Sequence, residues 1–209
     1  EMWSERFFYF VFKWEFNFVD SLGKASALST DQIDVENSKR YGIQFIAEDG
    51  SKAYPWILHN SPSGAIERCI YALLEKTSMD QRIGKVPSLP VWLSPTQVRL
   101  IPFSKDYVDR VSELATILQS KSMRVDIDDR DETVQKRIRD SERDWVPFTV
   151  VYGGKEASSG LLQVRDRVAK TLKSMRIEDL EKILYEQCKD KPFLNLPLNI
   201  MLSKRPKFS

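Results

Sequence analysis

Residues 91–127 of this chain are VWLSPTQVRLIPFSKDYVDRVSELATILQSKSMRVDI, and they decide the fold of its second half. The segment Val91–Ile101 has the composition of a strand, interrupted by Ser94-Pro95. Apolar residues then recur at helical spacing across Lys105–Ser120, and Arg124–Ile127 is a second short strand. A strand, a helix and a strand in this order predict a βαβ unit with parallel strands.

The same alternation continues toward the C-terminus. We expect a charged helix at Thr133–Arg143, strands at Phe148–Tyr152 and Leu161–Val164, and a closing helix at Ile177–Cys188. Strands separated by helices of this length form sheets that are covered on both faces. Residues 89–195 are therefore predicted to be a three-layer α/β domain with a mixed sheet, and residues 196–209 a C-terminal tail.

The first 20 residues are aromatic and favour β-structure. The apolar run Phe7–Phe12 is far shorter than the roughly 20 residues of a membrane span, so it predicts a buried strand. From Lys13 to Phe18 aromatic and polar residues alternate, which is the period of a strand with one buried face. A second strand at Ser29–Val35 would place Thr30, Gln32 and Asp34 on one face.

Turn signals complete an antiparallel sheet in the first half of the chain. Glu48-Asp49-Gly50-Ser51 predicts a hairpin between strands at Ile43–Ala47 and Tyr54–His59. Ser61 is placed to cap a helix at Gly64–Lys76. The periodicity then breaks between residues 79 and 90. The sheet with its helix is therefore assigned to residues 1–78 and a linker to residues 79–88.

Composition excludes several classes of protein. The chain has 209 residues and a net charge of +2, without a long run of one charge, which argues against a tail that binds polyanions. Residues 121–144 mix basic with acidic side chains, the pattern of a solvated helix rather than of a basic stripe for nucleic acid. Two cysteines are too few for a disulfide framework and indicate a reducing compartment. A single histidine rules out a His-rich metal site made by this chain alone.

Two residues near the predicted helix could carry chemistry. His59 ends a strand just before the Ser61-Pro62 turn, where a lone histidine more commonly has a structural role. Arg68 lies on the helix that follows, and an arginine near a positive helix end suits a phosphate. The commoner outcome for such an arginine is a surface ion pair, here with Glu67 or Glu75. The polar residues on one face of the second strand, Thr30, Gln32 and Asp34, could equally line a polar pocket or face solvent.

Several motifs resemble the threonyl-tRNA synthetases, which are class II aminoacyl-tRNA synthetases, and most closely their archaeal type. Residues 59–68, HNSPSGAIER, resemble the third class-defining motif, and residues 28–35, LSTDQIDV, resemble the strand before it. The pieces DRDE, KRIR, VPF and GKE within residues 129–156 resemble the anticodon-binding domain that several class II synthetases share. The resemblance implies that residues 1–78 are the C-terminal portion of a class II catalytic domain and residues 89–195 an anticodon-binding domain.

The resemblance implies that the first domain contributes to the site for threonine and ATP. Arg68 would bind the outer phosphates of ATP, which is bound with Mg²⁺. Gln32 and Thr30 would line the pocket for threonine and its adenylate, so Arg68 and Gln32 are the implied catalytic-site residues. His59 would be one of three ligands of a zinc ion that holds the substrate amine and hydroxyl, so the zinc site is incomplete in this chain.

For the second domain, the resemblance implies a surface that reads the anticodon of threonine tRNA. Asp131, Arg139, Glu156 and Arg165 would lie at this surface. Asp131 replaces the asparagine that is common at its position, and a carboxylate accepts hydrogen bonds but cannot donate them.

The motifs for dimer formation and for the α-phosphate of ATP are not found in this sequence. We therefore expect the C-terminal fragment of an aminoacyl-tRNA ligase, an enzyme that is a cytoplasmic homodimer in the family and has no membrane partner. The fragment alone is expected to be inactive. The alternatives are a non-catalytic module that binds tRNA at the anticodon, or a truncated synthetase paralogue.

Overall fold

The computed structural model describes residues 5–6 and 8–206. It divides the chain into two units, of which unit 1 ends at Ile83 and unit 2 begins at Gly84. No helix in the described part of the chain is long and apolar enough to cross a membrane.

Unit 1 is built on a three-stranded antiparallel sheet. Its elements are β1 (Phe10–Val19), β2 (Ala25–Asp34), α1 (Asn37–Arg40), β3 (Phe45–Ile46), β4 (Lys52–Ala53), β5 (Ile57–Ser61) and α2 (Ile66–Arg82). The strand order is β1-β2-β5, and β3 and β4 form a separate small hairpin. Gln32 pairs with His59, and Thr30 pairs with Ser61. Because paired residues lie on the same face, these four polar side chains share one face of the sheet.

The predicted pairing of the hairpin in unit 1 is wrong. The turn at residues 48–51 does close a hairpin, in which Ala47 N donates to Ser51 O at 2.8 Å. However, β3 pairs with β4, whereas β5 pairs with β2 in the main sheet. The sequence pattern locates strands, but it does not say which of two nearby strands is the partner.

The start of α2 also differs from the prediction. Ser61 does not cap the helix, because it is the last residue of β5, and the N-cap is Ala65. Gly64 has a φ of +63°, and a Cβ on it would lie 2.4 Å from the backbone oxygen of Leu28. The chain therefore turns tightly against β2 before the helix begins, and only glycine fits that turn. The helix continues to Arg82, beyond the predicted end at Lys76.

The prediction of a buried strand near the N-terminus is wrong as well. Phe7 lies outside the described residues, but Val11, Phe12 and Phe16 on β1 are more than half exposed. Trp14 is 43% exposed. In the described part of unit 1 no hydrophobic side chain is fully buried. The alternating pattern therefore marks the strand correctly, but the described residues leave Phe12, Trp14 and Phe16 largely uncovered.

Unit 2 has the predicted α/β architecture. Its elements are β6 (Val98–Pro102), α3 (Val108–Ser120), β7 (Val125–Ile127), α4 (Val134–Arg143), β8 (Phe148–Tyr152), α5 (Gly154–Ser159), β9 (Leu162–Asp166), β10 (Thr171–Met175) and α6 (Ile177–Cys188). The mixed sheet has the order β10-β9-β8-β6-β7. The strand β6 is parallel to β7 and β8, and the other pairs are antiparallel. The short α5 and the edge strand β10 were not predicted, and the segment Val91–Leu93 is a 3-10 turn rather than strand.

The two faces of this sheet differ in chemistry. Val98, Leu100 and Val150 point to an apolar face, where they join a core with residues of α3 and α6. The alternate residues Arg99 and Thr149 point to the opposite, polar face. There the Thr149 hydroxyl lies 2.6 Å from that of Ser141 on α4. The sheet therefore has α3 and α6 on one side and α4 on the other, which is the predicted three-layer arrangement.

The C-terminal tail covers the free edge of β7. Ile127 N donates to Ile200 O at 2.8 Å. The backbone N–H and the hydroxyl of Ser203 both donate to the carboxylate of Asp129, at 2.9 Å and 2.5 Å. The first of these bonds satisfies a backbone N–H that an edge strand would otherwise leave unpaired, and the bonds to Asp129 hold the tail beside it.

Candidate functional site

Arg68 lies in an open groove of unit 1. The groove has a volume of about 470 Å³ and is lined by Ser26, Ala27, Glu67, Arg68 and Tyr71. The Arg68 guanidinium donates to the backbone oxygen of Ala27 at 2.9 Å. Among the described residues the expected surface ion pair with Glu67 or Glu75 is not found, and the Glu75 carboxylate accepts from Ser21 N at 3.0 Å. Arg68 is thus held against β2 with its remaining N–H groups free for an anion in the groove.

Tyr71 forms a neutral wall of the same groove. Its hydroxyl donates to Oδ2 of Asp20 at 2.8 Å, and this hydrogen bond raises the pKa of Tyr71 to about 12. The phenol therefore stays protonated at neutral pH. The ring also meets Phe18 edge to face, with ring centroids 6.2 Å apart, which fixes α2 against β1.

The residues predicted for a substrate pocket lie on the polar face of the main sheet in unit 1. Gln32 accepts a hydrogen bond from the Tyr9 hydroxyl at 3.0 Å, and the Thr30 hydroxyl donates to Trp14 O at 3.3 Å. His59 is exposed and stands beside Gln32 on the neighbouring strand. The sheet therefore places Thr30 and Gln32 on one face, as their alternation predicts, and places His59 beside Gln32 on the neighbouring strand.

Asp34 does not belong to that group. It is 5% exposed, and its carboxylate accepts from the backbone N–H groups of Glu36 and Asn37, both at 2.9 Å. Burial alone would raise the pKa of Asp34, but these hydrogen bonds lower it. Asp34 is therefore a structural residue at the turn into α1.

His59 is not part of a complete metal site in this chain. Among the described residues no three His, Cys, Asp or Glu side chains are grouped so that they could hold a metal ion. A catalytic zinc takes three protein ligands. The residues present therefore do not fit a zinc ion by themselves.

In unit 2, the carboxyl end of β7 leads into a loop that is fixed by charge pairs. Asp128 is fully buried, and Arg130 binds it at 2.7 Å and binds Asp140 of α4 at 3.0 Å. The hydrogen bonds to Asp128 raise the pKa of Arg130. The buried Arg137 of α4 donates to the backbone oxygen of Asp128 at 2.7 Å. This loop carries Asp131, whose side chain is exposed.

Arg139 lies on the outward side of the same helix. Its neighbours Arg137 and Ser141 face the sheet and are buried, whereas Arg139 is exposed. The predicted pair of Asp131 and Arg139 thus lies on one rigid assembly of loop and helix, and both side chains reach solvent.

Glu156 is placed at the carboxyl end of β8, but in a setting that the sequence does not predict. It is the third residue of α5 and is only 9% exposed. Its Oε2 accepts from Gly153 N at 2.9 Å, which caps the helix. A carboxylate has further acceptor sites beyond this one bond.

Arg165 lies within a strand of the sheet, β9, whereas Asp131, Arg139 and Glu156 lie in a loop and two helices. It pairs with Thr149 on one side and with Leu172 on the other, and it is partly exposed. Thr149 lies in β8 three residues before its last residue, Tyr152. Asp131 and Glu156 therefore follow the carboxyl ends of β7 and β8, whereas Arg165 lies further along the polar face.

The carboxyl ends of the parallel strands are the place where open α/β sheets usually bind ligands. A family model described as "Anticodon binding domain" matches residues 97–187, which include this edge and all four of the predicted residues. The match lies entirely within unit 2.

Comparison with curated proteins extends the likeness to the whole chain. The chain is 53% identical to the threonine–tRNA ligase of Nitrosopumilus maritimus over 99% of its length, and 52% identical to that of Pyrococcus horikoshii over 100%. The chain is similar to a part of each of these threonine–tRNA ligases. It spans 33% of the length of both relatives. The resemblance to threonyl-tRNA synthetase that the motifs predict is thus confirmed, including its archaeal type.

Solved structures agree on the fold. The RNA binding domain of threonyl-tRNA synthetase from Cryptosporidium parvum has a TM-score of 0.61, with 24% identity over 82% of this chain and 41% of that one. Prolyl-tRNA synthetase from the same organism, complexed with L-proline and AMP, has a TM-score of 0.70, with 25% identity over 88% and 39%. The fold prediction for a class II synthetase with an anticodon-binding domain is confirmed.

The sequence did not single out two features of these sites. Tyr71 is one of them, although its spacing of three residues from Arg68 places both on one helix face. The other is the cap of α5, which the spacing Gly153-Gly154-Lys155-Glu156 signals, since a glutamate three residues after a helix cap commonly bonds back to it.

Proposed function

We propose that the chain is part of a threonine–tRNA ligase, in which unit 2 recognises the anticodon of threonine tRNA and unit 1 completes the site for ATP and threonine. The observation that carries this proposal is the identity of about half of all residues over the whole chain with threonine–tRNA ligases. In the domain division that we propose, residues 1–78 belong to the catalytic domain, 79–88 to a linker that begins within the last turn of α2, 89–195 to the anticodon-binding domain and 196–209 to the tail.

Arg68 supports the assignment of the ATP site. It stands in an open groove, anchored to Ala27 O by one N–H. The guanidinium keeps four further N–H donors, and it carries a positive charge that offsets a triphosphate bound with Mg²⁺. Tyr71 is protonated at neutral pH, as a tyrosine ordinarily is, and adds no competing negative charge to the wall.

The polar sheet face supports the assignment of the threonine pocket. Gln32 and Thr30 offer neutral donors and acceptors side by side. His59 would supply one ligand of a zinc ion whose other ligands belong to the rest of the protein. A zinc site completed in this way would offer the substrate hydroxyl a coordination position that a methyl group could not use.

The four residues of unit 2 support anticodon recognition by hydrogen bonds. Asp131 and Glu156 can accept from base amino groups, and Arg139 and Arg165 can donate to base edges or phosphates. The net charge of +2 is small, so we expect specificity to come from these contacts rather than from long-range attraction. The protein is further proposed to be a cytoplasmic homodimer when whole, and this chain alone is expected not to activate threonine.

A binding titration tests the proposed function. The full 209-residue chain is titrated with RNA hairpins that carry a threonine anticodon or an altered one. Glu156→Gln keeps an oxygen to accept from Gly153 N but loses the charge, and Arg165→Ala removes the donor. Each should weaken binding of the matched hairpin by about 1–3 kcal/mol and reduce discrimination.

The control for this titration is Lys189→Ala. Lys189 directly follows α6, the helix on the opposite side of the sheet, and pairs with the neighbouring Glu186. The variant removes one positive charge, as Arg165→Ala does, and should leave discrimination unchanged. If the parent chain binds matched and altered hairpins equally, the proposal of anticodon recognition is wrong.

A further inference from the structure

Phe103 is an exposed aromatic residue at the carboxyl edge of the sheet in unit 2. It directly follows β6, and its side chain is 62% exposed. Its backbone N–H donates to Tyr152 O at 2.7 Å, which continues the pairing of β6 with β8 by one residue. The backbone that carries the ring is therefore fixed, although the ring itself faces solvent.

Phe103 and Glu156 both lie next to Gly153. A Cβ placed on Gly153 would lie 3.0 Å from Cβ of Phe103, 3.4 Å from its Cγ and 3.8 Å from Oε2 of Glu156. Phe103 and Glu156 thus flank the same backbone position. Gly153 has no side chain, and this absence leaves room for both residues beside it.

The neighbouring aromatic residues show that the position of Phe103 is not dictated by the core. Tyr107 and Tyr152 pack edge to face with ring centroids 5.9 Å apart, and both contribute to the apolar core. Phe103 takes no part in that cluster. One exposed aromatic residue is ordinary by itself, but this one stands beside a mostly buried hydrogen-bond acceptor at the edge where α/β sheets bind ligands.

We propose that Phe103 is a stacking platform for an unpaired RNA base whose edge reaches Glu156. This inference rests on the proposed function of unit 2. Proteins that read single-stranded RNA loops combine hydrogen bonds to the base edge with an aromatic face for the base plane. Glu156 supplies the first element and Phe103 the second, from the ends of two adjacent parallel strands.

The test compares variants of the full chain in titrations with an RNA hairpin whose loop carries a threonine anticodon. Phe103→Ala should raise Kd by about 5- to 150-fold, the range of base–aromatic stacking, and Phe103→Tyr should restore binding because the ring remains. Tyr185→Ala is the matched control, since Tyr185 is 63% exposed on α6. Because both side chains are exposed, neither truncation should shift the unfolding midpoint measurably.

Abasic hairpins identify the stacked base. The three anticodon bases are removed one at a time, and each hairpin is titrated against the parent chain and Phe103→Ala. At one position the penalty of Phe103→Ala should disappear, because the ring then has no base to contact. At the other two positions the penalty should persist.

The outcomes separate this inference from the proposed function. If the parent chain discriminates between anticodons and Phe103→Ala binds every hairpin as the parent does, the stacking role is overturned and anticodon recognition stands. If the penalty is the same with every abasic hairpin, Phe103 acts without contacting a particular base, and the inference is also overturned. If the parent chain does not discriminate at all, the proposed function itself fails.

Discussion

At the scale of single residues, Gly64 decides how the Arg68 helix meets the sheet. Its φ of +63° is disfavoured for any other residue, and the position of its absent Cβ is 2.4 Å from Leu28 O. Gly64→Ala would therefore destabilise the fold in two ways. The alanine would have to adopt a left-handed conformation, and its Cβ would collide with the backbone of β2. The collision cannot be relieved by a rotamer change, so β2 and the turn must separate.

We predict that Gly64→Ala lowers the free energy of unfolding of unit 1 by more than the roughly 1–2 kcal/mol of a left-handed alanine. Gly42→Ala is the matched control, since Gly42 has a φ of +67° and nothing within 4 Å of its Cβ position. Urea unfolding followed by tryptophan fluorescence measures both variants. Equal losses in the two would show that the approach to Leu28 is unimportant.

The same scale shows what the sequence could and could not reveal about the sites. The motif at residues 59–68 placed His59 and Arg68 near the polar strand, and the fold brings His59 and Gln32 side by side. The closeness of Gly153 to Phe103 was not predictable, because the two residues are far apart in sequence. Close approaches between distant segments leave little trace in local patterns.

At the scale of elements, α4 shows why charge patterns alone mislead. The sequence predicts a solvated helix from its mixed charges, yet Arg137 and Ser141 are buried against the sheet. The sheet strand beneath it carries Arg99, which is 3% exposed and binds the fully buried Asp126 at 2.9 Å. Burial alone would lower the pKa of Arg99, but the hydrogen bonds and charge of Asp126 raise it. Local sequence gives the charges, but only the folded chain shows which are paired.

We predict that Asp126→Asn destabilises unit 2 by about 3–5 kcal/mol, because it leaves the buried Arg99 guanidinium without its main counter-charge. Asp126 also accepts from Thr96 at 2.9 Å and pairs with Arg205 of the tail at 3.2 Å, so the tail should loosen as well. The measurement is the midpoint of urea unfolding followed by circular dichroism.

Two comparison variants define the origin of that loss. Asp144 is the second partner of Arg99, and its side chain is 54% exposed. Asp144→Asn should therefore lower the free energy of unfolding by at most about 1 kcal/mol. Replacing both buried partners by apolar residues, as in Arg99→Met with Asp126→Leu, should recover much of the stability. If the double variant is no more stable than Asp126→Asn, then the unpaired charge is not the cause.

At the scale of the whole chain, the two units differ in how they are stabilised. All hydrophobic side chains that are fully buried in the described residues belong to unit 2, between Val98 and Leu184. In unit 1 the strand aromatics are exposed, and this chain spans only 33% of the length of its relatives. The alternation of strands predicted the elements of both units, but local patterns do not reveal whether a second layer is present to cover an apolar face.

We therefore predict that unit 1 is lost first in limited proteolysis with trypsin. The helix α2 ends at Arg82, and Pro87 O is already tied to Arg167 of unit 2, so the first cuts should follow Arg82 or Lys85. A resistant C-terminal product should remain, since burial of apolar surface is the main source of stability. This product should still bind the threonine hairpin, because all four anticodon residues lie within it.

The double variant Arg82→Gln with Lys85→Gln should delay the appearance of this product, and mass spectrometry identifies the products. Persistence of unit 1 with early loss of unit 2 would show that the buried core does not set the order of stability.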